Sequence, residues 1–230
     1  MSEENKEPAK KVLPIVDAPN SKELVSRTAG RMLIFGKWDP SEVRINDPSL
    51  MNNVSLESKK IPHTFGKGTR KRFDKAKVNI VERLINKLMR SGQGKRKLSG
   101  KFVRGRYVCG KKIHVMHLVE NAFETVEKKT GKNPIQVLIE AIQNTGPRED
   151  TTRLKKGGVS YTISVDVAPL KKVDEALKNL ALATFSSSFK NKVDASDALA
   201  NELIAAANED NASFGVRRRD EMERIAKASR

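Results

Sequence analysis

Cysteine is nearly absent: Cys109 is the single one among 230 residues. No disulfide can close within the chain, which suits a reducing compartment. Aromatic residues are scarce at 5%, so stacking of bases on aromatic platforms is excluded as the main binding mode. No apolar run reaches the roughly 18 residues that a membrane-spanning helix needs. The start, Met1-Ser2-Glu3-Glu4-Asn5-Lys6-Glu7, lacks the basic and apolar parts of a secretory signal. A cytoplasmic protein is the expectation. Hydrophobic residues make up 37% and charged residues 32%, the first below the roughly 45–50% of an average soluble domain and the second above its roughly 25%. That balance implies a modest core under a large polar surface. The length allows one good-sized domain with tails, or two small ones. No internal repeat is visible.

Acids are missing from one place in particular. Residues 59–112 hold 19 Lys or Arg and only two acids, Asp74 and Glu82, so this stretch carries the whole net charge of +17. The rest of the chain sums to zero. A solvated surface mixes signs, whereas residues 91–112 contain no acid at all. Charge this local is a binding surface, and nucleic-acid backbone is its natural counter-charge.

Residues 1–26 mix both signs with Pro8, Pro14 and Pro19 and show no periodicity, the pattern of a tail that stays disordered until a partner orders it. Leu33-Ile34-Phe35-Gly36-Lys37-Trp38 is a short apolar patch expected to dock on the main domain. Asp39-Pro40 and Asp47-Pro48 favour turns. Residues 59–74 read as a basic loop, with Pro62, Gly66 and Gly68 among Lys67, Arg70, Lys71 and Arg72. A helix is expected from about Lys75, with Val78, Val81, Leu84, Ile85, Leu88 and Met89 on one face. Arg83, Lys87 and Arg90 fall on the opposite face, directed away from the core. A second basic loop follows to about Gly110 and carries Lys95, Arg96, Lys97, Lys101, Arg104 and Arg106.

Lys111 and Lys112 open a second helix, about 111–130, expected to bury Ile113, Met116, Val119, Ala122, Phe123 and Val126 and to stop at Gly131. Asn133 can cap a third helix that has Pro134 in its first position and closes at Gly146-Pro147. Its Ile135, Val137, Leu138, Ile139, Ala141 and Ile142 place it centrally. The period then changes to 2: Val159, Tyr161, Ile163, Val165 and Val167 alternate with polar residues, the mark of a strand. Arg148–Leu154 is its antiparallel partner across the turn Lys155-Lys156-Gly157-Gly158. A two-stranded ribbon alone is marginal, so its base is expected to pack on the helices while its basic tip projects. Helices at about 170–187 and 194–208 follow, the first burying Val173, Leu177, Leu180, Ala181 and Thr184, the second Leu199, Leu203 and Ala206. A last, peripheral helix carries Arg217, Arg218 and Arg219. The expected fold is mainly α: one helical domain of five to six helices over 59–230, with an inserted two-stranded antiparallel ribbon at about 148–167. Residues 1–58 form an extended N-terminal extension.

Catalytic patterns are wanting. Gly105-Arg106-Tyr107-Val108-Cys109-Gly110-Lys111-Lys112 nearly matches a phosphate-binding loop, but Lys112 replaces the hydroxyl that binds magnesium and no apolar strand precedes it. His114 and His117 stand three apart on a helix without further metal ligands at a recognisable spacing. Cys109 has basic neighbours but no positioned base. The expectation is a protein that is not an enzyme, with no cofactor, no metal and no small-molecule substrate.

Several motifs resemble the small-subunit ribosomal protein seven family. They are Val81-Glu82-Arg83-Leu84, Thr130-Gly131-Lys132-Asn133-Pro134-Ile135-Gln136-Val137-Leu138, and Gly146-Pro147-Arg148-Glu149-Asp150-Thr151-Thr152-Arg153. Val165-Asp166-Val167-Ala168-Pro169-Leu170, Asn201-Glu202-Leu203-Ile204-Ala205-Ala206-Ala207 and Arg217-Arg218-Arg219-Asp220-Glu221-Met222-Glu223-Arg224 follow in order. Phe35-Gly36-Lys37-Trp38 and Asn46-Asp47-Pro48-Ser49-Leu50 resemble the extension of archaeal and eukaryotic members, and the basic 92–112 loop points to the archaeal type. The resemblance implies a structural constituent of the small ribosomal subunit that binds ribosomal RNA of the head and helps nucleate head assembly. Its implied partners are head and platform proteins, exit-site transfer RNA and messenger RNA. The matching RNA-contact positions are the two basic loops, the first helix and Arg217–Arg219; Arg148, Arg153, Lys155 and Lys156 would lie near messenger and transfer RNA. Two other readings compete. An architectural DNA-binding protein would place apolar wedges at the ribbon tip, and a nucleotide hydrolase would use the 105–112 loop.

Overall fold

The structure, a computed structural model, describes residues 32–67, 69–92, 96–98, 101–103 and 110–230. The expectations for the tail 1–26, for Cys109, for Lys95, Arg104 and Arg106, and for the side chains of Arg96, Lys97, Lys101 and Lys156 lie outside the described residues.

Capping chemistry sets most helix starts. Asn79 accepts the Val81 N–H and opens α1, Ile80–Leu88. This is later than the expected start near Lys75, because Asp74–Lys77 form a 3-10 turn and Val78 is extended. Helix α2 spans Lys112–Thr130 and stops where Gly131 turns left-handed at φ 66°. Asn133 accepts the Ile135 N–H and Pro134 fills the first position of α3, Pro134–Thr145. Helix α4 is Pro169–Ser188; α5, Ala195–Ala207, is capped by Asp194; α6, Phe214–Ala228, is capped by Ser213.

The α3 side chains are buried as the apolar pattern requires. The hub, however, is α5, which packs against α2, α3 and α4 together. Its Ala198, Ala200 and Ala206 are small enough to admit neighbours on several sides, with Leu199 and Leu203 filling between them. In α2 the face is as expected except at Ile113, which is 70% exposed. The correction is local: Val115 fills the core in its place, while Ile113 sits in the first, edge turn.

The N-terminal patch docks as its composition suggests. Ile34, Trp38, Leu50 and Val54 join the same core. Trp38 meets Phe123 edge-on at 5.6 Å between ring centres, and its Nε1 donates to Glu127 at 2.9 Å. Asp39 and Asp47 each cap a short 3-10 turn that begins at Pro40 and Pro48.

Within the expected second basic loop, Arg96–Leu98 (β1) pairs antiparallel with Lys101–Val103 (β2), so part of that segment is a hairpin. The long ribbon is Glu149–Lys156 (β3) against Val159–Asp166 (β4), with Glu149 opposite Asp166 and Lys156 opposite Val159. Its turn is therefore only Gly157-Gly158, both at positive φ, and Lys155 and Lys156 belong to the strand. The base packs against α6, and α6 thereby gains the partner its polar sequence needs. Beyond the base the apolar face continues without cover: Leu154, Val159, Tyr161 and Ile163 are all exposed.

Candidate nucleic-acid interface

The basic stretch is held by its two acids. Asp74 Oδ2 accepts the Lys71 N–H at 2.9 Å and closes its own loop. Glu82, 1% exposed on α1, does more. Its Oε1 accepts the N–H and the hydroxyl of Thr64 at 3.0 and 3.1 Å, and Lys112 Nζ at 2.6 Å. One buried carboxylate thus ties the first basic loop and the start of α2 to α1.

Several expected contact residues turn inward. Arg83 is 5% exposed; it donates to the Asn53 carbonyl at 2.8 Å and to Asp174 of α4 at 3.3 Å. Lys87 lies 3.4 Å from the same carboxylate, and Lys75 pairs with it too. The expectation that Arg83 and Lys87 point away from the core is corrected. The helix is packed on α4 on that side, and the acid that neutralises the cations is far along the chain. Burial pushes the Arg83 guanidinium and the Lys87 ammonium below their usual pKa, with Asp174 opposing. Burial alone would raise the Asp174 carboxyl, but Lys75, Lys87 and Arg83 hold it below the usual carboxylate value. Lys112 is committed to Glu82.

The C-terminal arginines divide. Arg219 donates to the Asn144 carbonyl and to Glu209, both at 2.6 Å, and to Asp220. Desolvation lowers its pKa, but those hydrogen bonds to carboxylates win and raise it. Arg218 pairs with Glu221, while Arg217 is exposed and its Nε donates to the Ser213 carbonyl. Of the triplet it is Arg219 that fastens α6 to the end of α3, while Arg217 and Arg218 bond within their own helix and its cap.

Lys67, Arg70, Lys71, Arg72 and Arg90 remain outward. All are exposed, and among the described residues no carboxylate pairs with them. Arg72 lies over the Phe73 ring at 5.4 Å. Lys111 is exposed at the start of α2. On the ribbon, Arg153 and Lys155 are exposed opposite Thr162 and Ser160, on the face away from Leu154 and Tyr161. Arg148 is exposed at the ribbon base, where its N–H donates to Glu223 at 2.9 Å. His114 is exposed and His117 lies 3.5 Å from Glu120; among the described residues no three His, Cys, Asp or Glu converge on one point. No described helix is long and apolar enough to cross a membrane. Sequence reasoning missed Asp174 and Glu82 as the organisers of these cations. The signal for Glu82 was its being an acid inside a cationic helix; Asp174 offered none.

A helical body with a ribbon and an exposed, cation-rich loop presents the surfaces of an interaction protein. The chain belongs to the family described as Ribosomal protein S7p/S5e, whose family model matches residues 51–230. It is 46% identical over 203 residues to the small ribosomal subunit protein uS7 of Archaeoglobus fulgidus, covering 88% of this chain and 97% of that one. The proteins of the same name from Methanococcus aeolicus and Methanococcoides burtonii are 43% and 44% identical, each spanning 86% of this chain and 98% of theirs.

Proposed function

We propose that the protein is a non-catalytic constituent of the small ribosomal subunit that binds ribosomal RNA of the head through its outward cations. The observation that carries this reading is the loop Lys67, Arg70, Lys71 and Arg72, exposed and unpaired with any described carboxylate, in a chain of a ribosomal family. Arginine and lysine set there neutralise phosphates where RNA helices converge, and they read shape instead of sequence. Lys95, Arg96, Lys97, Lys101, Arg104 and Arg106 extend the same charge. Arg83, Lys87, Lys112 and Arg219 contribute by shaping the surface. The ribbon, with Arg148, Arg153, Lys155 and Lys156, is assigned to the neighbourhood of exit-site transfer RNA and messenger RNA. Its exposed apolar face suits a neighbouring platform protein. Residues 1–58 act as an extension of the RNA-binding domain, and the protein resides in the ribosome. Family membership favours RNA over the DNA-binding alternative.

Crosslinking the protein in cell lysate and sequencing the attached nucleic acid tests the reading. Small-subunit ribosomal RNA is the expected product, with an affinity in purified form that falls steeply as salt rises. A salt-insensitive affinity, or recovery of unrelated nucleic acid, refutes it.

A further inference from the structure

Thr64-Phe65-Gly66-Lys67 forms a tight turn closed by the Lys67 N–H on the Thr64 carbonyl at 3.0 Å. Phe65 and Gly66 have φ of 52° and 74°, the left-handed pair that a type I′ turn requires. Glycine, asparagine and aspartate dominate the first of these positions; a phenylalanine there costs conformational energy. Phe65 recovers little of that cost by burial, because the residue is 78% exposed. The ring nonetheless has a neighbour. It stacks on His63 at 4.2 Å and 25°, and His63 Nδ1 accepts the Phe65 N–H at 2.7 Å. From below, Glu82 grips Thr64. Lys67 and Arg70, exposed and paired with no described carboxylate, follow it in the same loop.

A strained backbone that presents an exposed, His63-backed aromatic ring amid phosphate-seeking charge fits one chemistry: an unpaired nucleobase laid on the ring while its backbone meets the cations. We propose that Phe65, backed by His63, is a stacking platform for a single unpaired base of the RNA that this loop binds. This inference rests on the RNA-binding reading and deepens it. It differs from charge neutralisation because it discriminates splayed-out nucleotides from paired ones.

The test uses the full chain and two probes, a small-subunit ribosomal RNA transcript and a fully paired RNA duplex. Phe65→Ala is expected to weaken binding to the transcript by about tenfold without changing the salt dependence, since no charge is removed. Affinity for the duplex stays unchanged, and Phe65→Trp restores the loss. Phe65→Asn, which suits the turn, raises the melting temperature while losing the same affinity. Several results overturn the platform: Phe65→Ala binding the transcript like the parent chain, duplex affinity falling equally, or Phe65→Asn melting lower. An Arg70→Glu, Lys71→Glu double variant separates the two levels. If it weakens binding and Phe65→Ala does not, only the stacking inference falls; if neither weakens binding, the RNA reading falls with it.

Discussion

Ile34-Phe35-Gly36-Lys37 and Thr64-Phe65-Gly66-Lys67 are nearly the same words, and the chain uses them oppositely. Both turns are closed by the lysine N–H on the carbonyl three residues back, at 3.1 and 3.0 Å. Both put Phe and Gly at positive φ, 54° and 72° in the first, 52° and 74° in the second. In the first turn, Phe35 packs edge-on against Trp38 at 6.1 Å, and Lys37 reaches Glu120 and Glu124 of α2. In the second, His63 is the one ring that Phe65 meets among the described residues, and Lys67 meets no described carboxylate. The difference lies in what the body places opposite each turn. One ring and one cation serve the fold; the other pair is left exposed.

The first turn should break most severely. Trp38→Ala removes a buried indole and its hydrogen bond to Glu127 and is expected to cost about 4 kcal/mol in urea unfolding. Phe65→Ala in the second turn should change stability by under about 0.5 kcal/mol. A loss at Phe65 near that at Trp38 would erase the contrast. Glu82→Ala comes next, at about 3 kcal/mol, because it leaves Lys112 and the Thr64 groups without their buried acceptor. Besides destabilising, it should release the second turn and make the 61–67 loop more open to protease than the 34–38 loop.

Why the sequence revealed the helices but not these roles follows from range. The cap of α3 at Asn133-Pro134, its close at Gly146, and the change from period 3.6 to 2 at the ribbon are all decided within a few residues. The fate of a cation is not. Arg83 lies on the polar side of its own helix, yet Asp174, 91 residues away, takes it inside. Lys112 belongs by sequence to the basic block, although the acid it pairs with, Glu82, stands within that block. The exposure of Phe65 has no signal in the sequence: only the packed body decides where the ring goes.

The extension around the first turn has a second fastening that acid should loosen. Lys172 donates to Asp47 at 2.6 Å. With Ser49 it holds the Asp47 carboxyl down to about 2 from 3.8. The folded value is the depressed one, so the stabilisation is present in full above about pH 4 and is lost as pH falls through about 2. It amounts to about 1–2 kcal/mol after allowing for solvent screening of a partly exposed carboxylate. Thermal melts of Asp47→Asn and the parent chain should therefore converge between pH 4 and 2. Curves that stay parallel would show that the pair does not fasten the extension.

The smallest effect separates the two lysines most cleanly. Glu120 and Glu124 push the Lys37 ammonium up to about 12 from 10.5. Its folded value is raised, so its contribution is complete below about pH 10.5 and disappears as pH rises through about 12. Lys37→Ala should lower the melting temperature slightly and evenly from pH 6 to 10, and leave RNA affinity and its salt dependence alone. Lys67→Ala should do the reverse. Stability stays put, while the slope of log affinity against log salt falls by about 1 as one phosphate contact is lost. A Lys37→Ala variant that flattens the salt slope as much as Lys67→Ala would mean that both turns face the RNA. The acids of α2 would then be a resting place for Lys37, which it leaves on binding.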